Sequence, residues 1–232
     1  MRFFYLLILF LLASCAADFR ELEEKSGKLY KIGSEKPYTG TVEIYDSSMN
    51  TIGVFSSVNG VRSGPYFQFF KDGEIKIEGQ YEAGLKHGIE NEYNEKNVLI
   101  YEKEFSNGAV KSITANYDSG KTKYEKYYSG ATRQEYYYEE GSSYRWRTSK
   151  EFRNNKLVKD SERRSAIVGF GGINSTYYWT TYYDKNEKPT ESCQINDGTR
   201  TFCNTYCSDG RTHRNIYYKN GLISYKGLRN EC

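Results

Sequence analysis

The side chains of this 232-residue chain best equipped for chemistry are its five cysteines and two histidines. The cysteines stand at 15, 193, 203, 207 and 232, an odd number. In an exported protein an odd count leaves one sulfur over, whereas four sulfurs make two disulfides in an oxidising compartment. Four cysteines allow three pairings. The stretch Thr201–Tyr206 reads as a strand, so Cys203 and Cys207 would lie ~13 Å apart at ~3.3 Å per residue. A disulfide tolerates less than ~7 Å between Cα atoms. Cys193 and Cys203 flank Asp197-Gly198 symmetrically, as cross-strand neighbours in a hairpin do. The spacing therefore predicts Cys193–Cys203 and Cys207–Cys232. A zinc site with four cysteine ligands is the rival, but only Cys203 and Cys207 are closely spaced and such sites use two close pairs. No metal or other cofactor is expected.

The histidines offer little more. His87 lies in Lys86-His87-Gly88 and His213 between Arg211 and Arg214, neither beside a nucleophile or a ligand cluster. Carboxylates such as Glu102 with Glu104, or Glu139-Glu140, fall on stretches that read as strands or turns. Nothing in the sequence sets any pair at a glycosidase separation. Solvated surface is the simpler reading, no catalytic residue is assigned, and an enzyme is not expected.

Cys15 has a context of its own. Arg2 precedes an apolar run, Phe3 to Leu12, and then Ala13-Ser14-Cys15. That order of charge, apolar run and small residue reads as a secretory leader, and the run is far short of the ~20 residues that span a bilayer. Leu12-Ala13-Ser14-Cys15 resembles the cleavage box of bacterial lipoproteins. The resemblance implies removal of residues 1–14, lipid on the Cys15 sulfur and acylation of the new amino group. It also accounts for the odd cysteine. One acyl chain holds weakly, at ~0.8 kcal/mol per buried CH₂, whereas two or more anchor stably. Ala16 rather than Asp after the cysteine points to an outer-membrane destination, periplasmic or surface-facing.

The elements that must position these residues are strands. The chain is polar, with a mean hydropathy of −0.80, yet 16% aromatic, with 24 Tyr. Aromatics suit a pleated, half-wet surface. A net charge of +3 is too near balance to imply a nucleic-acid partner. Glycines keep a 24-residue beat, at Gly40, Gly64 and Gly88 and again at Gly60, Gly84 and Gly108. Aromatics follow at Tyr45, Phe69, Tyr93 and Tyr117. Such a period marks stacked supersecondary units. Each unit reads as two strands and two turns, with Asp-Gly and Asn-Gly supplying left-handed residues at turns; Gly73, Gly120 and Gly130 join the turn set.

Within one unit, Phe69-Phe70-Lys71-Asp72-Gly73 leads to Tyr81 and then to Gly84-Leu85-Lys86-His87-Gly88. This pattern resembles MORN repeats, in the bacterial variant often labelled antitoxin-like. Leu29-Tyr30 with Pro37-Tyr38-Thr39-Gly40 is similar to the start of such an array, and Tyr217-Tyr218-Lys219-Asn220-Gly221 to a further unit. Asn97 replaces glycine at 73 + 24, and Ser112 at 88 + 24. The expected architecture is all-β, an elongated antiparallel ribbon of stacked MORN-like hairpins with a disulfide-bonded C-terminal β region.

Residues 15–28 are charged and read as a lipidated tether, 29–141 as the repeat array, 142–170 as a basic linker or inserted loop, and 171–232 as the Cys-containing β region. Between 142 and 165 stand eight Lys or Arg against three acids. A solvated linker is the simpler reading; attraction to anionic headgroups or to an acidic partner is the other. Gly169-Phe170-Gly171-Gly172 reads as a flexible boundary and lacks phosphate-loop spacing. The expected function is that of a membrane-anchored envelope protein that binds another protein through a Tyr-rich surface. Alternatives are an immunity protein neutralising a toxin, suggested by the family label, and a lipid or glycan binding module.

Overall fold

The computed structural model describes residues 16–141, 146–168, 173–196, 198–220, 222–228 and 232. Cys15 and the leader, the glycine-rich boundary 169–172, and Asp197 and Gly221 of two expected turns lie outside them. The protein is almost wholly β, its hairpins following one another along the chain. Among the described residues no helix is long and apolar enough to cross a membrane. Contacts divide the chain into two units, up to Lys121 and from Thr122.

Unit 1 contains β1 (Ala17–Asp18), a 3₁₀ turn (Phe19–Glu21), β2 (Leu22–Lys25), β3 (Lys28–Lys31), β4 (Gly40–Tyr45), β5 (Thr51–Val58), β6 (Val61–Phe69), β7 (Ile75–Glu82), β8 (Leu85–Tyr93), β9 (Leu99–Ser106) and β10 (Ala109–Asn116). From β4 to β10 each strand pairs antiparallel with the next. β1 joins β4 in parallel, setting Ala17 opposite Val42. Residues 16–28 are therefore not the expected tether. Ser26 and Gly27 both adopt positive φ, 51° and 73°, closing a tight β2–β3 hairpin that the sequence reading overlooked. Ala17 is buried with Leu29, Tyr38, Val42, Phe55 and Tyr66 in one apolar cluster. Each large side chain there stabilises the unit by about 1.5–3 kcal/mol.

Two turn families alternate along the unit. The tight turns Asn59-Gly60, Ala83-Gly84 and Asn107-Gly108 have both central residues at positive φ, matching the twist of the strands they join. Their glycine N–H groups reach the preceding hairpin: Gly60 donates to the Tyr38 carbonyl at 2.7 Å, Gly84 to Arg62 at 2.9 Å and Gly108 to Lys86 at 2.8 Å. This ladder of bonds, 22 residues apart each time, locks one repeat to the next. At Gly60 the approach is so close that a Cβ would meet Lys28 Cβ at 2.8 Å and the Leu29 carbonyl at 2.9 Å.

The longer turns place Met49, Gly73, Asn97 and Gly120 at positive φ, each donating its N–H to the carbonyl three residues back. Asn97 thus preserves the turn in the absence of glycine, because asparagine tolerates the left-handed region. Ser112 does not do the same for Gly88. At Gly64 and Gly88 the register shifts by two residues, pairing Ser57 with Arg62 but Phe55 with Tyr66, and Gln80 with His87 but Glu78 with Asn91. At Ser112 it shifts by one. Gly64 and Gly88 sit at φ 86° and 71°, where a side chain is strained, so β10 forms a shorter bulge. The aromatic beat slips as a result. Tyr45, Phe69 and Tyr93 end β4, β6 and β8, but Tyr117 falls one residue beyond β10 and opens the next turn.

Unit 2 is a meander of β11 (Thr122–Ser129), β12 (Thr132–Tyr137), β13 (Thr148–Arg153), β14 (Lys156–Val168), β15 (Ile173–Tyr183), β16 (Pro189–Asn196), β17 (Thr199–Tyr206), β18 (Thr212–Lys219) and β19 (Leu222–Leu228), each antiparallel to the next. Most of the expected basic linker is β13 and β14. The turn between them, Asn154-Asn155, has both residues at positive φ, a glycine-free tight turn that a search for Asn-Gly passes over. Its charges are drawn into local pairs, Arg153–Glu151 at 3.0 Å, Arg147–Glu139 at 3.2 Å and Arg164–Glu162 at 3.1 Å.

Candidate functional site

The predicted cysteine pairs form. Cys193 and Cys203 are bonded across β16 and β17, which pair them directly, with Cα atoms 4.1 Å apart. Cys207 and Cys232 are bonded with Cα atoms 5.3 Å apart. Cys193, Cys203 and Cys207 are buried. His213 lies close to the Cys207 and Cys232 sulfurs, and Glu191 to those of Cys193 and Cys203. In both clusters the sulfurs bond each other and offer no thiolate to a metal. The predicted turn glycines, Gly40, Gly60, Gly64, Gly73, Gly84, Gly88, Gly108, Gly120 and Gly130, all have positive φ. They shape the scaffold rather than converge on a site. His87 Nδ1 lies 3.3 Å from a Glu82 carboxylate oxygen on an exposed hairpin end.

Two residues that the sequence reading did not single out organise unit 1. Gly79 lies opposite Tyr66, and a Cβ there would meet the Tyr66 ring at 2.8 Å. The ring therefore lies flat over bare backbone. Its hydroxyl donates to Glu90, which is only 4% exposed. Glu90 also accepts from Lys86 Nζ and faces Lys103 Nζ at 3.4 Å, while Lys103 reaches Glu92 at 3.2 Å. Burial by itself would raise the Glu90 carboxyl, but the hydrogen bonds from Lys86 and Tyr66 outweigh it and hold the group below its usual range. Burial, then the hydrogen bond to Glu90, push the Tyr66 hydroxyl far up, so it remains a donor. Tyr66 and Glu90 occupy the same place in successive repeats, 24 residues apart. The beat was thus visible, but which of its members turn inward was not.

Tyrosine–carboxylate bonds recur throughout. Tyr93 donates to Glu78 at 2.7 Å, Tyr137 to Glu135 at 2.6 Å and Tyr138 to Glu125 at 2.6 Å, and Tyr45 bonds Glu43. Burial, followed by the carboxylate neighbour, pushes Tyr137 and Tyr183 up to about 12. Part of the tyrosine excess therefore serves the sheet itself: Glu43 with Tyr45 and Glu135 with Tyr137 stand two apart and share a face.

Other rings form ladders across the strands of unit 2. On one face Tyr127, Tyr136, Trp146 and Tyr178 follow one another with centroid separations of 6.1, 6.1 and 4.4 Å. Trp179, Phe202 and Tyr217 form a second ladder at 6.1 and 4.9 Å, with the Arg164 guanidinium 5.5 Å from the Trp179 ring. Tyr178 and Trp179 are neighbours in β15, so the two ladders lie on opposite faces. Tyr127 and Tyr217 are each 44% exposed. The other rings of the two ladders, Tyr136, Trp146, Tyr178, Trp179 and Phe202, are half-buried.

No protein-family model matches the chain, and no curated protein matches it.

Proposed function

We propose that the protein is a lipid-anchored envelope protein whose MORN-like hairpins present a docking surface for another protein. The observation that carries this reading is the pair of aromatic ladders on the two faces of unit 2. Rigid rings with polar tips supply contact area at low entropic cost, and each ladder ends in an exposed tyrosine, Tyr127 or Tyr217. The two disulfides favour an oxidising compartment, in keeping with the lipoprotein-like leader. Cys15 is the proposed anchor, and Cys15→Ser should release the protein from membranes into the soluble fraction. The interaction test compares cross-linked partners of the wild-type protein with those of a Tyr127→Ser/Tyr178→Ser variant whose far-ultraviolet circular dichroism and amide hydrogen-exchange protection in β4–β9 match those of the wild type. Loss of one reproducible envelope protein in the variant supports docking. Identical partner sets, or binding only to purified lipid or glycan with a change in Tyr fluorescence, would replace it.

A further inference from the structure

Arg62 and Lys86 are equivalent residues, 24 apart, whose carbonyls accept the Gly84 and Gly108 N–H bonds of the repeat ladder. Their side chains also sit alike. The Arg62 guanidinium lies 4.8 Å from the Phe55 ring centre and 5.6 Å from that of Tyr81; Lys86 Nζ lies 5.4 Å from Tyr66 and 5.2 Å from Phe105. Their counter-ions differ. Lys86 has Glu90 four residues on, whereas four residues beyond Arg62 stands Tyr66, whose hydroxyl is already engaged by Glu90. Among the described residues the Arg62 guanidinium forms no ion pair, and its polar partner is the Tyr81 hydroxyl at 3.4 Å. Arg62 is exposed and borders a cavity of ≈ 280 Å³ walled by Ile44, Ile52, Phe55, Tyr66 and Tyr81.

We propose that this cavity binds a carboxylate carried on a compact apolar body. The carboxylate pairs with the Arg62 guanidinium from the cavity, supplying the counter-ion that Glu90 supplies to Lys86. The guanidinium's planar fork matches a carboxylate with two parallel hydrogen bonds, and the aromatic and isoleucine walls receive the apolar part. The volume is at the lower limit of small-molecule sites, so it suits one arylalkanoate or one apolar C-terminal residue rather than a larger ligand.

The test is a titration of the full chain with 3-phenylpropionate and with its amide, followed by the Ile44 and Ile52 methyl and Arg62 Nε resonances. Saturable shifts are expected for the acid, with the amide at least about tenfold weaker because it loses the charged hydrogen bonds. Arg62→Gln should weaken the acid to the level of the amide while leaving the amide unchanged, and Arg62→Lys should restore part of the difference. Unchanged Ile44 and Ile52 shifts in the ligand-free variants will show that the walls persist. N-acetyl-Ala-Ala-Phe with a free carboxylate distinguishes the source: tighter binding than 3-phenylpropionate identifies a peptide C-terminus, and equal or weaker binding a small acid, either supporting the site. Equal affinity for acid and amide, or no saturable shift from any probe, overturns the proposal.

Discussion

The two units use one hairpin plan and hold it together by different means. In unit 1 an apolar cluster runs from Ala17 to Tyr66, a ring presses on a bare glycine, and tight turns bond back to the preceding repeat. In unit 2 the most deeply buried side chains include Thr180, Cys193 and Cys203. The Thr180 hydroxyl bonds Ser161 at 2.8 Å, and two disulfides replace aliphatic bulk. The difference teaches that a repeat can lose its glycine bulge and its core and still continue, provided that covalent links restrict the unfolded chain. Unit 2 also carries Tyr127 and Tyr217, at the ends of its two ring ladders, on its surface.

Reducing both disulfides should break the comparison most strongly. Chain entropy assigns about 3 kcal/mol to each bridge, and none of this acts on unit 1. Hydrogen exchange under reductant should show loss of protection in β16–β19 with β4–β9 intact; simultaneous loss would mean that the units are not energetically separate. The converse substitution is Gly79→Val, which forces a side chain into the Tyr66 ring. It should destabilise unit 1 by about 2–3 kcal/mol, read by denaturant unfolding, while the unit 2 disulfides remain resistant to alkylation.

Glu90→Gln should cost unit 1 about 2 kcal/mol by weakening a buried, charge-assisted cluster. Because the folded Glu90 carboxyl is held below its ordinary value of 4.5, its contribution is present above that pH and is lost as pH falls through the depressed folded value. Thermal melts of the variant should therefore show a flatter acid limb than the wild type. A parallel acid limb would remove Glu90 as the group responsible. The smallest effect concerns the turn where asparagine stands in for glycine. Asn97→Ala should cost about 1 kcal/mol, whereas Asn97→Gly should change stability by about 0.3 kcal/mol or less, because only the left-handed backbone matters there.

Much of this architecture could be read from residue order. The 24-residue beat gave away the hairpins because turn chemistry is local: Asn-Gly and Asp-Gly choose their backbone without help from distant residues. The disulfide pairing followed from strand geometry and the limited reach of a Cys side chain. Charge counting was less informative. Residues 16–28 and 142–165 read as a tether and a solvated linker on charge alone, because Ser26-Gly27 and Asn154-Asn155 are less conspicuous turns than Asn-Gly.

Residue order by itself determined the all-β class, the glycine turns of the 24-residue beat and the sulfur pairs, since these depend on local turn chemistry and on the short reach of a cysteine side chain. Only the tertiary structure decided that Glu90 is buried under two lysines and a tyrosine, that Gly79 carries a ring, that Tyr117 leaves the aromatic beat, and that Arg62 lacks the carboxylate its counterpart has. Each of these depends on the register between strands. A bulge one residue longer or shorter changes which side chains meet, and that shift has no signature in spacing alone.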